Sequence, residues 1–380
     1  MHFDEKYMKV AIDLAKKGSH KSFPNPSVGS VLVECNQNYT SDKIVGFGMT
    51  QKGGRPHAEY EAIKDVNFNK KKIYICYTTL EPCFHKGRDI PCSELIIKKK
   101  INEVVFSISD PDMRTTNKSK NAFERNKINV RHGILKSETL NFYDGYFLNK
   151  LKSRPKVTLK IASSMNGKIF DSQNPKLWIT NRIARLYSHY QRLEHDGILI
   201  GSNTAKIDNP RLTCRIRGMS EYSPIRFIIN RKLNLSVNLK IFKTKDKKTF
   251  LISNSNSMNK KKSTNYRDVN HIFLKENQNI FKTLLKELVK LGISRLIVEG
   301  GSILNTLFLK HKIVDEIVIH RGNFFMDEKS MNILNPITRY ENLIMKNFNL
   351  LNVFCLGNNH IETYESNNLK KFKLEILRKF

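Results

Sequence analysis

The chain has 380 residues, 39% of them hydrophobic, so it is long enough for two globular domains and apolar enough to give each a core. Its 66 lysines and arginines outnumber its 35 aspartates and glutamates, which gives a formal net charge of +31. There is no run of roughly 18 apolar residues and no apolar signal core near the N-terminus, so we expect a cytoplasmic protein without a membrane span.

The first 147 residues alternate helical and strand patterns. An amphipathic helix is predicted over about 5–17, where four small or apolar side chains share one face. The predicted elements that follow are strands at 29–33 and 44–48, a helix at 57–66, a strand at 73–78, a helix at 93–99 and a strand at 104–108. This order is typical of an α/β domain, which we assign to residues 1–147.

A charged stretch at 148–155 predicts the domain boundary, and residues 148–380 form the second predicted domain. Here the predicted strands are 157–162, 197–201, 226–229 and 295–298, and the predicted helices are 181–192 and 303–308. This half also reads as α/β.

A cluster of potential metal ligands lies in the first half. The segments Pro56-His57-Ala58-Glu59 and Glu81-Pro82-Cys83 to Cys92 supply one imidazole and two thiolates for Zn²⁺. Three protein ligands leave the fourth tetrahedral position for water, which marks a catalytic rather than a structural site. Glu59 follows His57 near a helix start, where its carboxylate can reach that water without binding the metal. We also expect Cys83 at a helix start, where the helix dipole and the metal favour the thiolate.

Each of these residues has an ordinary structural interpretation when taken alone, and only together do they favour zinc. The general signature of zinc base deaminases is His-x-Glu with Pro-Cys-x-x-Cys, and here Cys92 comes later than that pattern requires. Two alternatives stay open: a nucleic-acid base deaminase with a basic RNA-binding surface, and a non-catalytic zinc module used for assembly. Cys35 and Cys76 read as structural residues, without disulfides.

The second half carries a weaker signal. No Gly-x-Gly-x-x-Gly follows a strand, so a Rossmann dinucleotide site is not supported. Instead, the strand 295–298 leads into Glu299-Gly300-Gly301-Ser302 and an apolar helix. Two glycines before a helix N-terminus can form a phosphate-binding turn, and a plain tight turn is the alternative.

The net charge has two interpretations. Basic patches attract phosphate chains, which favours a nucleic-acid partner. Lysine, however, recurs throughout, as at 70–72, 98–100 and 260–262, and no basic block alternates with aromatic residues to form a stacking platform. The sequence therefore favours compositional drift, with some of the charge serving small phosphorylated ligands. The sequence is also compatible with a homo-oligomer.

The motif residues resemble one known family. His57-Ala-Glu59, the segment 81–92 with its long cysteine spacing, and Pro24-Asn25-Pro26-Ser27-Val28-Gly29 are similar to the bifunctional riboflavin-biosynthesis deaminase/reductases, over nearly the whole chain. The resemblance implies a cytidine-deaminase-like three-layer sandwich followed by a dihydrofolate-reductase-like α/β domain that uses NADPH. It implies hydrolytic deamination of a phosphorylated diaminopyrimidine, then reduction of the ribosyl group to ribityl.

The same resemblance implies roles for individual residues. In the deaminase, His57, Cys83 and Cys92 would bind zinc, Glu59 would move protons, Asn25 would contact the pyrimidine, and His85 and Arg88 would lie near the ribose phosphate. In the reductase, the implied cofactor contacts are Ala162, Trp178, Thr204, Asp208, Gly301, Ser302, Ile303, Leu304, Asn305, Thr306 and Leu307. The implied substrate contacts are Lys176, Arg192, Leu212, Arg215 and Glu299.

Three positions of the reductase half call for comment. Asn166 stands where the family usually has Asp, and Lys176 stands where it usually has a small residue. Trp178 is the only tryptophan, and core packing is its alternative to cofactor contact.

Overall fold

The computed structural model describes residues 3–87, 89–244, 246, 248–256, 262–266, 269–275, 280–335 and 347–380. The chain divides into two compact units, the first ending at Lys152 and including Lys373–Phe380, the second comprising Ser153–Phe372. The sequence places the boundary at 147/148 instead. The difference arises because a helix runs through Lys136–Lys152 and buries Phe147 and Leu148, so the chain leaves the first unit only where that helix ends.

Five strands and five α-helices form the first unit within the described residues. In chain order these are α1 (Phe3–Gly18), β1 (Gly29–Cys35), β2 (Asp42–Met49), α2 (Ala58–Ile63), β3 (Ile73–Leu80), α3 (Cys92–Lys98), β4 (Glu103–Ile108), α4 (Lys118–Arg125), β5 (Asn129–His132) and α5 (Lys136–Lys152). The sheet order is β2-β1-β3-β4-β5. Strand β1 is antiparallel to both neighbours, whereas β3, β4 and β5 run parallel.

Alternating side chains of this sheet build two cores, one on each face. On one face Leu32, Cys76 and Phe106 pack against α2, α3 and α4. On the other, Val31 and Tyr77 pack against the apolar side of α1, formed by Tyr7, Met8, Ala11 and Ile12. The predicted helix face over 5–17 is therefore confirmed, and the unit has three layers.

The second unit contains a larger sheet. Its elements are β6 (Lys156–Ser163), β7 (Lys168–Phe170), α6 (Arg182–Leu193), β8 (Gly197–Gly201), α7 (Ser202–Asp208), β9 (Ile225–Ile229), β10 (Thr249–Asn254), β11 (Asn270–Leu274), α8 (Ile280–Lys290), β12 (Arg295–Val298), α9 (Ser302–Lys310), β13 (Glu316–Arg321), β14 (Met331–Asn332), β15 (Phe348–Leu356) and β16 (Asn359–Ser366). The last helix, α10 (Asn367–Lys379), follows β16.

Nine of these strands lie in the order β11-β10-β9-β8-β12-β6-β13-β16-β15. The seven from β11 to β13 are parallel, and β16 and β15 continue the sheet in antiparallel fashion. The carboxyl ends of β8, β12 and β6 therefore lie side by side, at one edge, where parallel α/β sheets place their ligands. Among the described residues, no helix is long and apolar enough to cross a bilayer.

Candidate active sites

Three side chains of the first unit converge on one point. His57 is the N-cap residue of α2, Cys83 lies in the segment after β3, and Cys92 is the first residue of α3. His57 Nδ1 lies 3.3 Å from Cys92 Sγ and 3.4 Å from Cys83 Sγ, and all three ligand atoms are within 4.8 Å of one another. Tetrahedral zinc, with metal–ligand bonds of about 2.0–2.3 Å, separates its ligand atoms by roughly 3.5 Å. The three residues therefore fit a zinc ion.

The predicted helix start at Cys83 is wrong, because it is Cys92 that begins α3 after the N-cap residue Pro91. The helix still acts on Cys83, since the backbone N–H of Cys92 donates to Cys83 Sγ at 3.3 Å. Hydrogen bonding from Cys92 and His57 lowers the pKa of the Cys83 thiol to about 4. A thiolate is the form that binds zinc.

Glu59 lies in the first turn of α2 and only 3% of its surface is exposed. Burial raises the pKa of its carboxyl, although the charge of His57 acts in the opposite direction. Glu59 also hydrogen-bonds with Cys92, so its carboxyl lies directly beside the metal ligands. A buried carboxyl whose pKa is raised above its usual value accepts a proton more readily than an exposed one and can pass it on.

Two of the predicted substrate contacts lie around this cluster. Asn25 donates from Nδ2 to the carbonyl of Gly54 at 3.1 Å, three residues before His57 in the sequence. His85 follows Cys83 by two residues, and its Nδ1 lies 3.4 Å from Thr115 Oγ1. Arg88 lies outside the described residues.

Sequence reasoning missed the carboxylates that shape the wall near His85. Glu81 is buried, and its carboxylate accepts from the backbone N–H groups of Asp110 and Asn117 and from the Ser119 hydroxyl. These bonds hold the loop after β4 against the Glu81-Pro82-Cys83 segment. Glu81 is part of the predicted Glu-Pro-Cys motif. Its hydrogen-bond partners, however, lie about 30 residues or more away in the sequence and form no local pattern.

Asp110 is a second buried carboxyl in that loop. Burial raises its pKa to about 7, while its hydrogen bonds from the Asp112 N–H and the Tyr146 hydroxyl act against the shift. Because the ordinary pKa is 3.8, the folded chain holds a proton between about pH 4 and 7 that the unfolded chain has released. The stability contributed by this group therefore falls as pH rises through that window.

We expect Asp110→Asn to be more stable than the native chain at pH 8, by about 2 to 4 kcal/mol, with less than half of that difference left at pH 5 and none below about pH 4. The amide oxygen keeps both hydrogen bonds and carries no charge. Urea unfolding at the two pH values measures the difference. Identical pH dependence of the two proteins would show that Asp110 does not titrate in this way.

In the second unit an ion-paired cluster lies at the carboxyl end of β12. Arg192 of α6 donates from Nε and Nη2 to the two carboxylate oxygens of Glu299, both at 2.8 Å. Burial alone would raise the pKa of Glu299, but Arg192 and Lys160 bring it down to about 2. Glu299 is therefore an anion at every working pH. The guanidinium of Arg192 is committed to this carboxylate, with Nη1 donating to the carbonyl of Thr213 at 3.3 Å.

Lys160, on β6, belongs to the same cluster and was missed by sequence reasoning. Burial lowers the pKa of its ammonium, and Arg192 adds to that effect, while Glu299 opposes it. A lysine inside an alternating strand gives no sequence signal of its own. Its position two residues before Ala162 brings it to the same sheet edge as the predicted cofactor contacts.

Arg215 is oriented by a histidine. Its Nε donates to Nε2 of His189 at 3.0 Å, and Nδ1 of His189 lies 3.1 Å from the carbonyl of Thr213. Burial and the charges of Arg192 and Arg215 lower the pKa of His189 to about 4, so the ring is neutral and can accept that bond. The Nη groups of Arg215 make no hydrogen bond within the described chain, which suits a phosphate ligand.

The predicted nucleotide turn combines close packing with open space. A Cβ on Gly300 would lie 2.8 Å from Leu304 Cβ, whereas a Cβ on Gly301 would meet only Thr204 Oγ1, at 3.8 Å. Gly301 is the N-cap residue of α9, so free backbone N–H groups point from the helix start. Desolvation and the charge of Glu299 raise the pKa of nearby Asp208. Thr204 thus lies opposite Gly301 at the start of α9, where a helix N-terminus can bind a phosphate.

Several of the implied cofactor residues have side chains that are not exposed to contact a cofactor. Leu304, Asn305 and Thr306 are buried, and Asn305 Nδ2 donates to the carbonyl of Ile333. Ser302 is also buried, while Ile303 is half exposed and Leu307 partly buried. Any contact from this turn therefore comes mainly from the backbone at the start of α9.

Trp178 and Lys176 are both exposed, Trp178 to 68%. Core packing of Trp178 is therefore excluded, and its ring stacks against the Arg185 guanidinium at 4.4 Å. Leu212 is the opposite case. Its side chain is buried in the core with Ile198 and Ile228, at a positive φ of 54°, so only its backbone can contact a substrate.

Asn166 has a structural role that Asp could not fill. Its Oδ1 accepts from the Met326 N–H at 3.1 Å, and its Nδ2 donates to the Met326 carbonyl at 2.7 Å. A carboxylate has no N–H to donate to that carbonyl. The departure from the family pattern at this position is thus matched by the chain's own contacts.

Two family matches divide the chain as the two clusters do. Residues 1–108 match the zinc-binding region of cytidine and deoxycytidylate deaminases, and residues 155–328 match the RibD C-terminal domain. The first range contains the three ligands and Glu59. The second contains Arg192, Glu299 and the Gly301 turn.

Relatives cover most of the chain. Riboflavin biosynthesis protein RibD of Aquifex aeolicus is 34% identical over 325 residues, which is 86% of this chain and 88% of that protein. The RibD protein of Bacillus amyloliquefaciens is 34% identical over 317 residues, or 83% of each.

Solved structures agree with these matches. Acinetobacter baumannii RibD has a TM-score of 0.85 at 26% identity, covering 96% of this chain and 99% of that one. A diaminohydroxyphosphoribosylaminopyrimidine deaminase/5-amino-6-(5-phosphoribosylamino)uracil reductase from Thermotoga maritima has a TM-score of 0.82 at 28% identity, covering 96% and 98%.

Proposed function

The chain belongs to the RibD family of riboflavin-biosynthesis proteins, and on that premise we propose which of its residues carry each of the two reactions. It is a bifunctional enzyme, a zinc-dependent deaminase joined to an NADPH-dependent reductase. The observation that carries the proposal is the convergence of His57, Cys83 and Cys92 beside the buried carboxyl of Glu59.

The substrate we propose is the one that the name of the T. maritima protein contains, diaminohydroxyphosphoribosylaminopyrimidine. The first reaction would yield 5-amino-6-(5-phosphoribosylamino)uracil, and the second would reduce its ribosyl group to ribityl. We propose that the deaminase and the reductase meet at the end of α5, five residues after the predicted division into 1–147 and 148–380.

In the deaminase, zinc held by the three ligands supplies the activation of water. The chain's own part is to move protons and hold the substrate. Glu59 accepts a proton from the attacking water and delivers one to the leaving amine, a role that its raised pKa suits. Asn25 would contact the pyrimidine, and His85 would contact the ribose phosphate together with Arg88, for which the proposal rests on the family resemblance alone.

In the reductase, NADPH supplies the hydride, and the chain positions both reactants. Thr204, Asp208 and the α9 start after Gly301 hold the cofactor. Ala162 and Trp178 border it, and Lys176 and the Leu212 backbone lie on the substrate side.

Charged groups at the same sheet edge serve the substrate. Arg215 binds the phosphate with its free Nη groups, and Arg192 completes the contact through Nη1. Because Glu299 stays anionic, we assign the ammonium of Lys160 as the proton donor for opening the ribosyl ring, and the negative charge of Glu299 favours the protonated form of that ammonium.

Zinc removal tests whether the metal serves only the first of the two reactions. We expect a chelator to abolish ammonia release from the diaminopyrimidine and to leave reduction of the deaminated compound within about two-fold of the native rate, because the metal ligands belong only to the first reaction. Added zinc should restore the first step. Deamination that survives complete zinc removal, or reduction that is lost with it, would contradict the proposal.

The cellular setting and the partners are proposed on more general grounds. All six cysteines are free thiols, which is typical of a reducing compartment and supports a cytoplasmic enzyme. The family matches favour a small phosphorylated pyrimidine over a nucleic acid as the substrate. A homo-oligomer would be seen directly by sedimentation.

A further inference from the structure

A pocket of about 580 Å³ opens beside Arg215 in the second unit, and five cationic side chains line it: Arg211, Arg215, Arg217, Lys240 and Lys243. We call it the cationic pocket. None of its lining residues in the described chain is acidic. The hydroxyl groups of Thr213 and Ser220 can each donate a hydrogen bond to an anion, whereas the Thr244 hydroxyl, also in the lining, donates to the carbonyl of Ile241 at 3.1 Å.

The positive charge of the cationic pocket is uncompensated. Within the described residues, the side chains of Arg211, Arg217 and Lys243 form no ion pair, although acids elsewhere in this unit are paired with arginine, as Asp246 is with Arg226. Partial burial and the charges of Arg192 and Arg211 lower the pKa of Arg215, which is the effect of like charges held together. Such a cluster attracts and retains anions.

The lining also limits the kind of anion. The volume of the cationic pocket exceeds that of a single phosphate ion and falls in the range of small-molecule sites, roughly 300–1,000 Å³. No aromatic ring is among its described lining residues, so there is no platform on which a nucleobase could stack. This argues against the adenine end of a dinucleotide and against a nucleic-acid strand, and favours a phosphorylated sugar.

The cationic pocket adjoins the proposed phosphate site. Thr213 and Arg215 line the pocket, and the same two residues contact His189 through the Thr213 carbonyl and the Arg215 Nε. Arg192 reaches the Thr213 carbonyl as well. The cationic pocket and the proposed phosphate site therefore share Arg215, and the Thr213 carbonyl connects this region to Arg192.

We propose that the cationic pocket is an anion-docking site that captures the phosphate end of the reductase substrate before the phosphate passes to the Nη groups of Arg215. This inference rests on the proposed function, because it assigns a phosphorylated substrate to this site. Arg211, Arg217, Lys240 and Lys243 then act by raising the local concentration of the phosphorylated compound, not by taking part in the reaction.

The test removes two of these charges with Arg217→Gln/Lys243→Gln. At low ionic strength, about 0.01 M, we expect KM for 5-amino-6-(5-phosphoribosylamino)uracil to rise about three- to ten-fold with kcat within two-fold. At about 0.5 M salt the difference should fall below two-fold, because screening removes the attraction in both proteins. The matched control is Lys286→Gln/Lys371→Gln, which removes the same charge from exposed positions outside the pocket.

Three results would overturn the inference: equal KM values in the pocket and control variants, a rise in KM for NADPH in place of the pyrimidine, or selective loss of polynucleotide binding. Calorimetric titration with inorganic pyrophosphate separates this inference from the proposed function. If the native chain binds pyrophosphate several-fold more tightly than the pocket variant but does not reduce the pyrimidine, the proposed function fails and the anion site stands. If pyrophosphate binds both equally, the anion site fails whatever the reductase does.

Discussion

Replacing Glu59 by Gln is expected to slow ammonia release by roughly 10²- to 10⁴-fold, the range typical of a lost general acid–base group. Glutamine fills the same buried space beside Cys92 but cannot carry a proton between water and the leaving amine. The zinc content should not change, because Glu59 is not among the three grouped ligands. Ammonia release and metal content, measured on the same preparation, check both parts.

The matched control is Glu61→Gln, on the same helix two residues later. The Glu61 carboxylate forms an ion pair with Lys64 at 2.9 Å, and the contact of Glu61 with His57 is made by its backbone N–H, which the substitution keeps. Its removal should leave deamination within about two-fold, since such a helix-surface pair contributes well under 1 kcal/mol. If Glu59→Gln deaminates at the native rate, Glu59 does not carry the proton. The alternative of a non-catalytic zinc module would then be open again.

Replacing Glu299 by Gln should reduce kcat/KM of the second reaction by about 10²-fold or more and leave the first unaltered. The carboxylate of Glu299 holds Arg192 through two hydrogen bonds, and its negative charge opposes the burial that lowers the pKa of Lys160. Without it, two buried cations repel each other and the proton donor moves or loses its proton. NADPH consumption with the deaminated pyrimidine measures the effect, and ammonia release from the same protein measures its selectivity.

A loss of stability alone could imitate that result, so the control must break a similar ion pair elsewhere. Asp315 accepts from Arg154 at 2.6 and 2.7 Å just before β13, at the opposite edge of the sheet from Glu299. Asp315→Asn should lower the melting temperature at least as much as Glu299→Gln and leave reductase activity of the folded protein near the native value. Equal activity losses in the two variants would show that Glu299 acts only through stability.

The sequence predicts the zinc cluster well because its chemistry is local. His57 and Glu59 lie two residues apart at the start of one helix, and Cys83 and Cys92 flank one short segment. Residue type and spacing are therefore sufficient to predict the cluster. The partners of Glu81 were not predictable in the same way. Asp110, Asn117 and Ser119 reach it only because β3 and β4 lie parallel in the sheet, and sheet pairing has no short-range signal.

In the reductase half, too, the sequence does not predict contacts between distant elements, and this affects both the residues that were singled out and the one that was missed. Arg192 and Glu299 were singled out by resemblance, but their mutual ion pair is visible only once α6 lies over the carboxyl end of β12. Lys160 was missed because a strand lysine usually faces solvent. Leu212 was assigned to the substrate, yet its side chain belongs to the core, since a motif preserves a backbone position as readily as a side-chain contact.

The most direct test of the account is the mass of the product formed from diaminohydroxyphosphoribosylaminopyrimidine by the native chain, without and then with NADPH. We expect a gain of about one dalton without the cofactor, from exchange of an amino group for oxygen, and a further gain of about two daltons when NADPH is present. An unchanged mass in the first incubation, under conditions in which the chain holds its zinc, would contradict the assignment of His57, Glu59, Cys83 and Cys92 to hydrolytic deamination.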